Sequence, residues 1–201
     1  GHVVPWGAGK DTPSAWYVEE IASPVNHTLT VGEAGYATLM LGYNTKIPTI
    51  EGEDCGVFAA TIDGEWAVMN EIEGVLPANT AVIVKATPGD YTFEYTTNTA
   101  TVENNDLRGT LYNKNITEEA YVLGMDENKV AYLGLAVYNV STDKTNDGTE
   151  EAPAVTYEAW LNNANKAYLP APANAQGVKY YSLRWENGTT GVENVEVENV
   201  V

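Results

Sequence analysis

The chain reads as an all-β protein: an antiparallel β-sandwich or a partly open β-barrel with two pseudo-repeated halves. Three observations predict it. Short runs rich in Val, Thr and Tyr recur between turns marked by Gly, Asn, Asp and Pro, the composition of pleated strands and their connections. No stretch carries an apolar stripe at helical spacing for more than about three turns, and the best helical candidate, residues 116–120, is one turn. Finally, a segment returns. ANTAVIVKA (residues 78–86) is echoed by ANKAYLPAP (164–172), each followed by a turn-rich gap and an alternating run, DYTFEY (90–95) and VKYYSLRW (178–185).

The elements follow in order. Residues 1–34 read as an approach segment or linker, or the end of a preceding domain, punctuated by Pro5, Gly7, Gly9 and Pro13. Within it, 15–21 and 27–31 are strand candidates, ended by Pro24 and Gly32. Residues 35–190 form the β domain. The run 36–41 is apolar nearly throughout, which predicts burial on both faces. Runs 57–62 and 65–69 flank Asp63-Gly64, a hairpin signal whose two central residues want positive φ. Strand 81–85 follows, then Pro88-Gly89-Asp90 turns into 91–95, with Tyr91, Phe93 and Tyr95 on one face. Residues 107–111 make a short strand or bend, and 120–124 with 129–133 are a second hairpin candidate. Residues 141–153 form a polar loop without hydrophobic period, long enough to carry function. Residues 191–201 are a C-terminal tail, a linker or an edge strand.

Composition narrows the functions. With 44% hydrophobic and 19% charged residues, 201 residues make a globular chain with a core of its own. The formal charge of −18, from 28 acids against 10 bases, opposes nucleic-acid and anionic-membrane partners. No run reaches the length of a transmembrane helix, so direct membrane insertion is not expected. Cys55 is the single cysteine, which excludes an intrachain disulfide and CxxC metal sites. The first residue is Gly1 rather than Met, and the chain is read as a processed chain or a fragment.

A series of motifs occurs in order: AWYVEE (15–20), GYATL (35–39), VLPANTAVIVK (75–85), YVLG (121–124), ANKAYL (164–169) and TGVENV (190–195). It resembles the C-terminal β-rich accessory region of large secreted or surface proteins of Bacteroides, Prevotella and relatives, over about residues 15–195. The resemblance implies a secreted or cell-surface location and neighbouring domains of a larger polypeptide as partners. It carries no named function and no catalytic residues.

The residues themselves offer few centres of chemistry. His2 and His27 are the only histidines, and Cys55 lies in a turn beside Glu53 and Asp54, acidic surroundings that do not favour a nucleophilic thiolate. Glu51, Glu53 and Asp54 cluster in one turn and Glu71 and Glu73 at a strand end; all are read as solvated acids rather than a glycosidase pair. Asp143, Thr145 and Asp147 partly match the opening of a calcium loop, with Gly148 at the sharp turn. The twelfth position is Ala154 where a bidentate Glu is wanted. No cofactor is expected. The five Trp and 13 Tyr against two Phe suit sugar platforms and wet interfaces. Trp66, Trp160 and Trp185 are assigned to the core, leaving Tyr112 and Tyr138 as the freest ligand-binding candidates. The expected function is a non-catalytic spacer, interaction or support module. The alternative is a carbohydrate-binding module using exposed Tyr and Trp, with a glycan or another surface protein as partner.

Overall fold

The computed structural model describes residues 2–6, 15–19, 26–136, 140–143, 154–157, 160–173, 175 and 178–185. Every regular element among them is a strand. The first ten are β1 (His2–Trp6), β2 (Ala15–Glu19), β3 (His27–Val31), β4 (Tyr36–Leu39), β5 (Thr45–Lys46), β6 (Gly56–Asp63), β7 (Trp66–Glu71), β8 (Val75–Leu76), β9 (Val82–Lys85) and β10 (Gly89–Tyr95). Then come β11 (Arg108–Thr110), β12 (Lys114–Ile116), β13 (Ala120–Met125), β14 (Ala131–Leu135), β15 (Val140–Asp143), β16 (Ala154–Tyr157), β17 (Trp160–Asn162), β18 (Lys166–Pro170) and β19 (Tyr180–Trp185). Among the described residues no helix is long and apolar enough to cross a membrane.

A nine-stranded sheet in the order β11-β18-β13-β14-β19-β7-β6-β9-β4 forms the body. Its two ends meet. The Met40 N–H donates to the Asn165 carbonyl (3.0 Å), and the Ala167 N–H donates to Thr38 Oγ1 (3.2 Å). The sheet is therefore a nearly closed barrel, which removes most of its exposed edge. At the seam β11 lies so close that a Cβ on Gly109 would stand 2.9 Å from Met40 Cβ, Met40 Sδ and the Lys166 carbonyl. Only glycine fits there.

Alternation sorts the side chains. On β6, Phe58 and Ala60 point into the barrel while Val57 and Ala59 point outward, and both sets are buried. Ile83 against Val82 and Val84 on β9 behave the same way. On β4, Ala37 to Leu39 are all buried, as the apolar run from Tyr36 predicts. Outward burial on this side comes from a second, four-stranded sheet, β3-β10-β5-β8. It lays Leu29, Val31, Leu76 and Phe93 on the barrel wall. Phe93 is fully buried, a contribution of about 2–3 kcal/mol from apolar area. On the other side the ribbon β12–β17 covers Ala120 and Tyr168 with Ile116 and Trp160. Interior positions elsewhere are filled by Tyr121, Leu133, Leu169, Tyr181, Leu183 and Trp185, so the barrel holds a packed core.

The echoed segment marks a true structural repeat. Asn79 and Asn165 both adopt positive φ (60° and 61°), the left-handed turn conformation that asparagine tolerates better than most residues. The Asn79 N–H donates to the Leu41 carbonyl and the Asn165 N–H to the Thr110 carbonyl. The Ala78 N–H donates to Asn44 Oδ1 (2.7 Å) and the Ala164 N–H to Asn113 Oδ1 (2.8 Å). Registers agree as well. Leu39↔Val82 corresponds to Arg108↔Tyr168, Thr45↔Leu76 to Lys114↔Asn162, and Phe58↔Ile83 to Tyr121↔Leu169. So β4, β5, β6, β7, β8 and β9 recur as β11, β12, β13, β14, β17 and β18. The strand order of the barrel is then a palindrome about β19, which is antiparallel to β14 and parallel to β7.

Several expectations change. The echo does not extend to its second part: β10 belongs to the four-stranded sheet, whereas β19 is the central barrel strand. The Asp63-Gly64 hairpin turns one residue later than its sequence suggests. Asp63 pairs with Trp66, so the central residues are Gly64 and Glu65, and only Gly64 has positive φ (59°). This is a two-residue turn with glycine first. Packing of the β domain starts ahead of Gly35, because β3 pairs with β10 and buries Leu29 and Val31. Pro5 does not keep residues 2–6 from pairing: β1 lies antiparallel to β2 in a two-stranded ribbon, where a proline can direct its missing N–H to the open edge. The polar loop 141–153 opens as a strand, with Ser141 to Asp143 in β15 paired to β16.

Candidate functional site

Among the described residues, neither covering layer lies over the outward face formed by β14, β19, β7 and the end of β6. The pairings place Gly124, Tyr132, Ser182, Trp66 and Asp63 in one cross-strand row. Because Ala67 and Met69 take the interior positions of β7, Trp66 must face out. It is half-buried, not a core residue, which corrects its assignment; Trp185 is in the core, and Trp160 is half-buried against the ribbon's small cluster. Tyr132 and Trp66 are two strands apart, about 10 Å at ordinary strand spacing, with the Ser182 position between them.

Two glycines shape this face. A Cβ on Gly134 would stand 2.6 Å from Tyr132 Cε2, and one on Gly124 would stand 3.0 Å from Tyr132 Cζ. The Tyr132 ring therefore lies over both glycine positions. Tyr180 meets it edge-to-face (centroids 6.1 Å apart, planes at 69°) and is 59% exposed. On the other side Arg184 stacks over Trp66, its guanidinium 5.6 Å from the ring centroid, and donates from Nη2 to Asp63 Oδ2 (2.9 Å). The result is a face of two pinned rings and a projecting one, bordered by a fixed ion pair.

Beyond Asp63 this face runs into an open groove of about 960 Å³, lined by Thr61, Asn70, Glu71, Glu73, Asn104 and Glu103 among others. Several of its polar groups hold the fold. The Ile62 N–H donates to Asp106 Oδ2 (2.8 Å), the Ala60 N–H donates to Asn105 Oδ1 (3.3 Å), and Asn105 Nδ2 donates to the Ala81 carbonyl (2.7 Å). Asn70 Nδ2 donates to Thr61 Oγ1 (3.2 Å). The segment before β11 is thereby sewn to β6.

The other candidates are dispersed. Cys55 is half-buried in its turn, where a Cβ on Gly52 would meet Sγ at 2.8 Å. Beside it Lys85 reaches Asp54 (3.8 Å) and lies over the Trp185 ring (4.5 Å to the centroid). Burial, with Cys55 and Asp54 nearby, pushes the Tyr36 phenol up to about 12. His27 lies on β3, its pKa lowered by burial and by Lys166. Glu51, Glu53, Glu71 and Glu73 are exposed. Tyr112 is 79% exposed in the turn before β12. Asp143 ends β15 with Ala154 directly opposite; Thr145, Asp147 and Tyr138 lie outside the described residues. Among the described residues no group of three or more His, Cys, Asp or Glu is placed to hold a metal ion.

Tyr132 and Tyr180 are absent from the candidates drawn from sequence. The available signal is the alternation itself: Tyr132-Leu133-Gly134 puts the tyrosine and glycine on one face with an apolar residue on the other. No protein-family model matches the chain, and no curated protein and no solved structure is detectably similar to it.

Proposed function

We propose that the chain is a non-catalytic interaction and support module of a secreted or cell-surface bacterial protein. It would stand beside neighbouring domains of a larger polypeptide. The observation that carries this reading is the division of labour among its polar groups. Asp63, Asn70, Asn105 and Asp106, which line the acidic groove, are engaged with Arg184, Thr61, the β6 backbone and the Ala81 carbonyl. The location rests on the resemblance of the ordered motifs from Ala15 to Val195 to surface proteins of Bacteroides and Prevotella. Antibodies against the chain should label intact cells of the source organism, and labelling only after lysis would refute the surface location. Turnover of a glycoside or peptide substrate, abolished by Glu71→Gln or Glu103→Gln, would refute the non-catalytic reading.

A second reading, carbohydrate recognition, is favoured by the row Tyr132–Ser182–Trp66–Asp63. Two rings about 10 Å apart with a hydroxyl position between them suit stacking on successive units of an extended glycan. Titration with soluble polysaccharides should then quench Trp fluorescence, and Trp66→Ala should abolish the change. A signal that survives Trp66→Ala and Tyr180→Ala excludes this face.

A further inference from the structure

Besides the β15–β16 ribbon inserted between β14 and β17, the two halves of the repeat differ in what pairs with β5 and with β12. In the first half, β5 is paired on both sides: with β8 through Thr45↔Leu76 and with β10 through Thr45↔Tyr95 and Lys46↔Glu94. Asn44, just before β5, also holds the chain that follows β10. Its carbonyl accepts the Thr96 N–H (3.0 Å) and its Nδ2 donates to the Asn98 carbonyl (2.9 Å). Tyr43 stacks edge-to-face on Tyr95 (6.1 Å, 64°).

In the second half, β12 occupies the place of β5 and pairs with β17 in the same register as β5 with β8. Asn113 stands where Asn44 stands and makes the same Oδ1 bond, to the Ala164 N–H. Tyr112 stands where Tyr43 stands. Among the described residues no strand takes the place of β10. Among the described residues the far edge of β12 has no ladder partner, and neither the Asn113 carbonyl nor its Nδ2 has a partner. Tyr112 is 79% exposed, and Leu161, opposite Asn115, is 54% exposed.

We propose that the open edge of β12, with Tyr112 and Asn113, is a strand-docking site that takes an extended segment of a partner polypeptide in the position β10 fills in the first half. The first half supplies the template for its occupant: an antiparallel strand with an aromatic residue to stack on the tyrosine, then a turn whose N–H and carbonyl meet the asparagine. Charge distinguishes the partner from a second copy. Two chains of charge −18 repel, and Asn115 replaces the Lys46 that faces Glu94 in the first half. The strand that fits is aromatic and threonine-rich, with neutral or basic polar positions.

The probe is the peptide GQYTFQYTTN, which is residues 89–98 of this chain with Asp90 and Glu94 replaced by Gln. It is titrated into the isotope-labelled full chain and followed by amide chemical shifts. Shifts should cluster at residues 112–116. Tyr112→Ser should weaken binding about 2- to 10-fold through the lost ring contact. Asn113→Asp, which keeps the Oδ1 acceptor for Ala164 and removes the Nδ2 donor, should weaken it by a similar factor. No shift at millimolar peptide, shifts centred on residues 43–46, or affinity indifferent to both variants would overturn the proposal. A dimer of the chain in solution that Tyr112→Ser dissolves would assign the edge to a second copy and overturn the partner strand.

Discussion

Replacing Asn44 by alanine removes two side-chain hydrogen bonds, to the Ala78 N–H (2.7 Å) and the Asn98 carbonyl (2.9 Å). Replacing Asn113, its counterpart in the second half, removes one, to the Ala164 N–H (2.8 Å). The two deletions are chemically identical and differ in surroundings. Ala78 is half-buried, so its freed N–H is poorly rehydrated, whereas Ala164 is exposed and water can replace the lost acceptor. A hydrogen bond contributes about 1 kcal/mol net, and an N–H left partly buried without a partner costs about 1 kcal/mol more. The bonds of Asn44 to Asn98 and of Asn113 to Ala164 are exposed, so water replaces them at a cost of no more than about 0.5 kcal/mol. Asn44→Ala should therefore cost about 2 kcal/mol, nearly all of it at Ala78, and Asn113→Ala about 0.5 kcal/mol. For a chain of this length these figures correspond to falls in Tm of about 4–8 °C and about 1–2 °C. Urea unfolding followed by Trp fluorescence gives both differences from midpoints at constant slope. Asn44→Asp, which keeps the acceptor, should recover most of the loss. An Asn113→Ala cost equal to that of Asn44→Ala would refute the argument that the missing strand leaves the second half less enclosed.

Other outcomes follow from the same geometry. Gly109→Ala forces a methyl against Met40 and the Lys166 backbone and should cost about 1–3 kcal/mol by urea unfolding. Gly64→Ala meets no atom within 4 Å and should cost about 1 kcal/mol from its positive φ alone. Burial, with Tyr181 and Glu119 nearby, pushes the Tyr121 phenol up to about 12. Its folded pKa lies above the unfolded value near 10, so its contribution is fully present below pH 10 and is lost as pH rises through about 12. Tyr121→Phe should flatten that alkaline loss and cost about 1 kcal/mol at neutral pH, since its hydroxyl donates to the Val178 carbonyl (2.8 Å). His27 shifts the other way. Its folded pKa is lowered, so stability falls as pH drops below about 6.5, and His27→Gln should reduce the fall between pH 7.5 and 5 measured by thermal unfolding.

Local pattern by itself determined the strand content of this protein. Alternation at 91–95 and 131–133, continuous apolarity at 36–41 and the turn residues between them reflect backbone geometry and side-chain period, which act within a few residues. The second hairpin's return strand begins at Ala131, two residues later than expected, because Lys129 takes a positive φ in the turn. The echo at Asn79 and Asn165 was legible for the same reason: both positions need a residue that accepts positive φ just before a strand. What lay beyond the sequence is everything set by pairing at a distance. The join of Met40 to Asn165 that closes the sheet, the parallel placement of β19 against β7, and the role of β10 as cover rather than as a copy of β19 depend on which edges are left free once the hairpins have formed. The candidate face shows the same limit. Trp66, Tyr132, Ser182 and Asp63 come from four strands, and no short window of sequence brings them together; only their shared register does. The open edge of β12 is the extreme case. It is defined by a strand present in one half and, among the described residues, absent from the other, a difference in partners that no local pattern encodes.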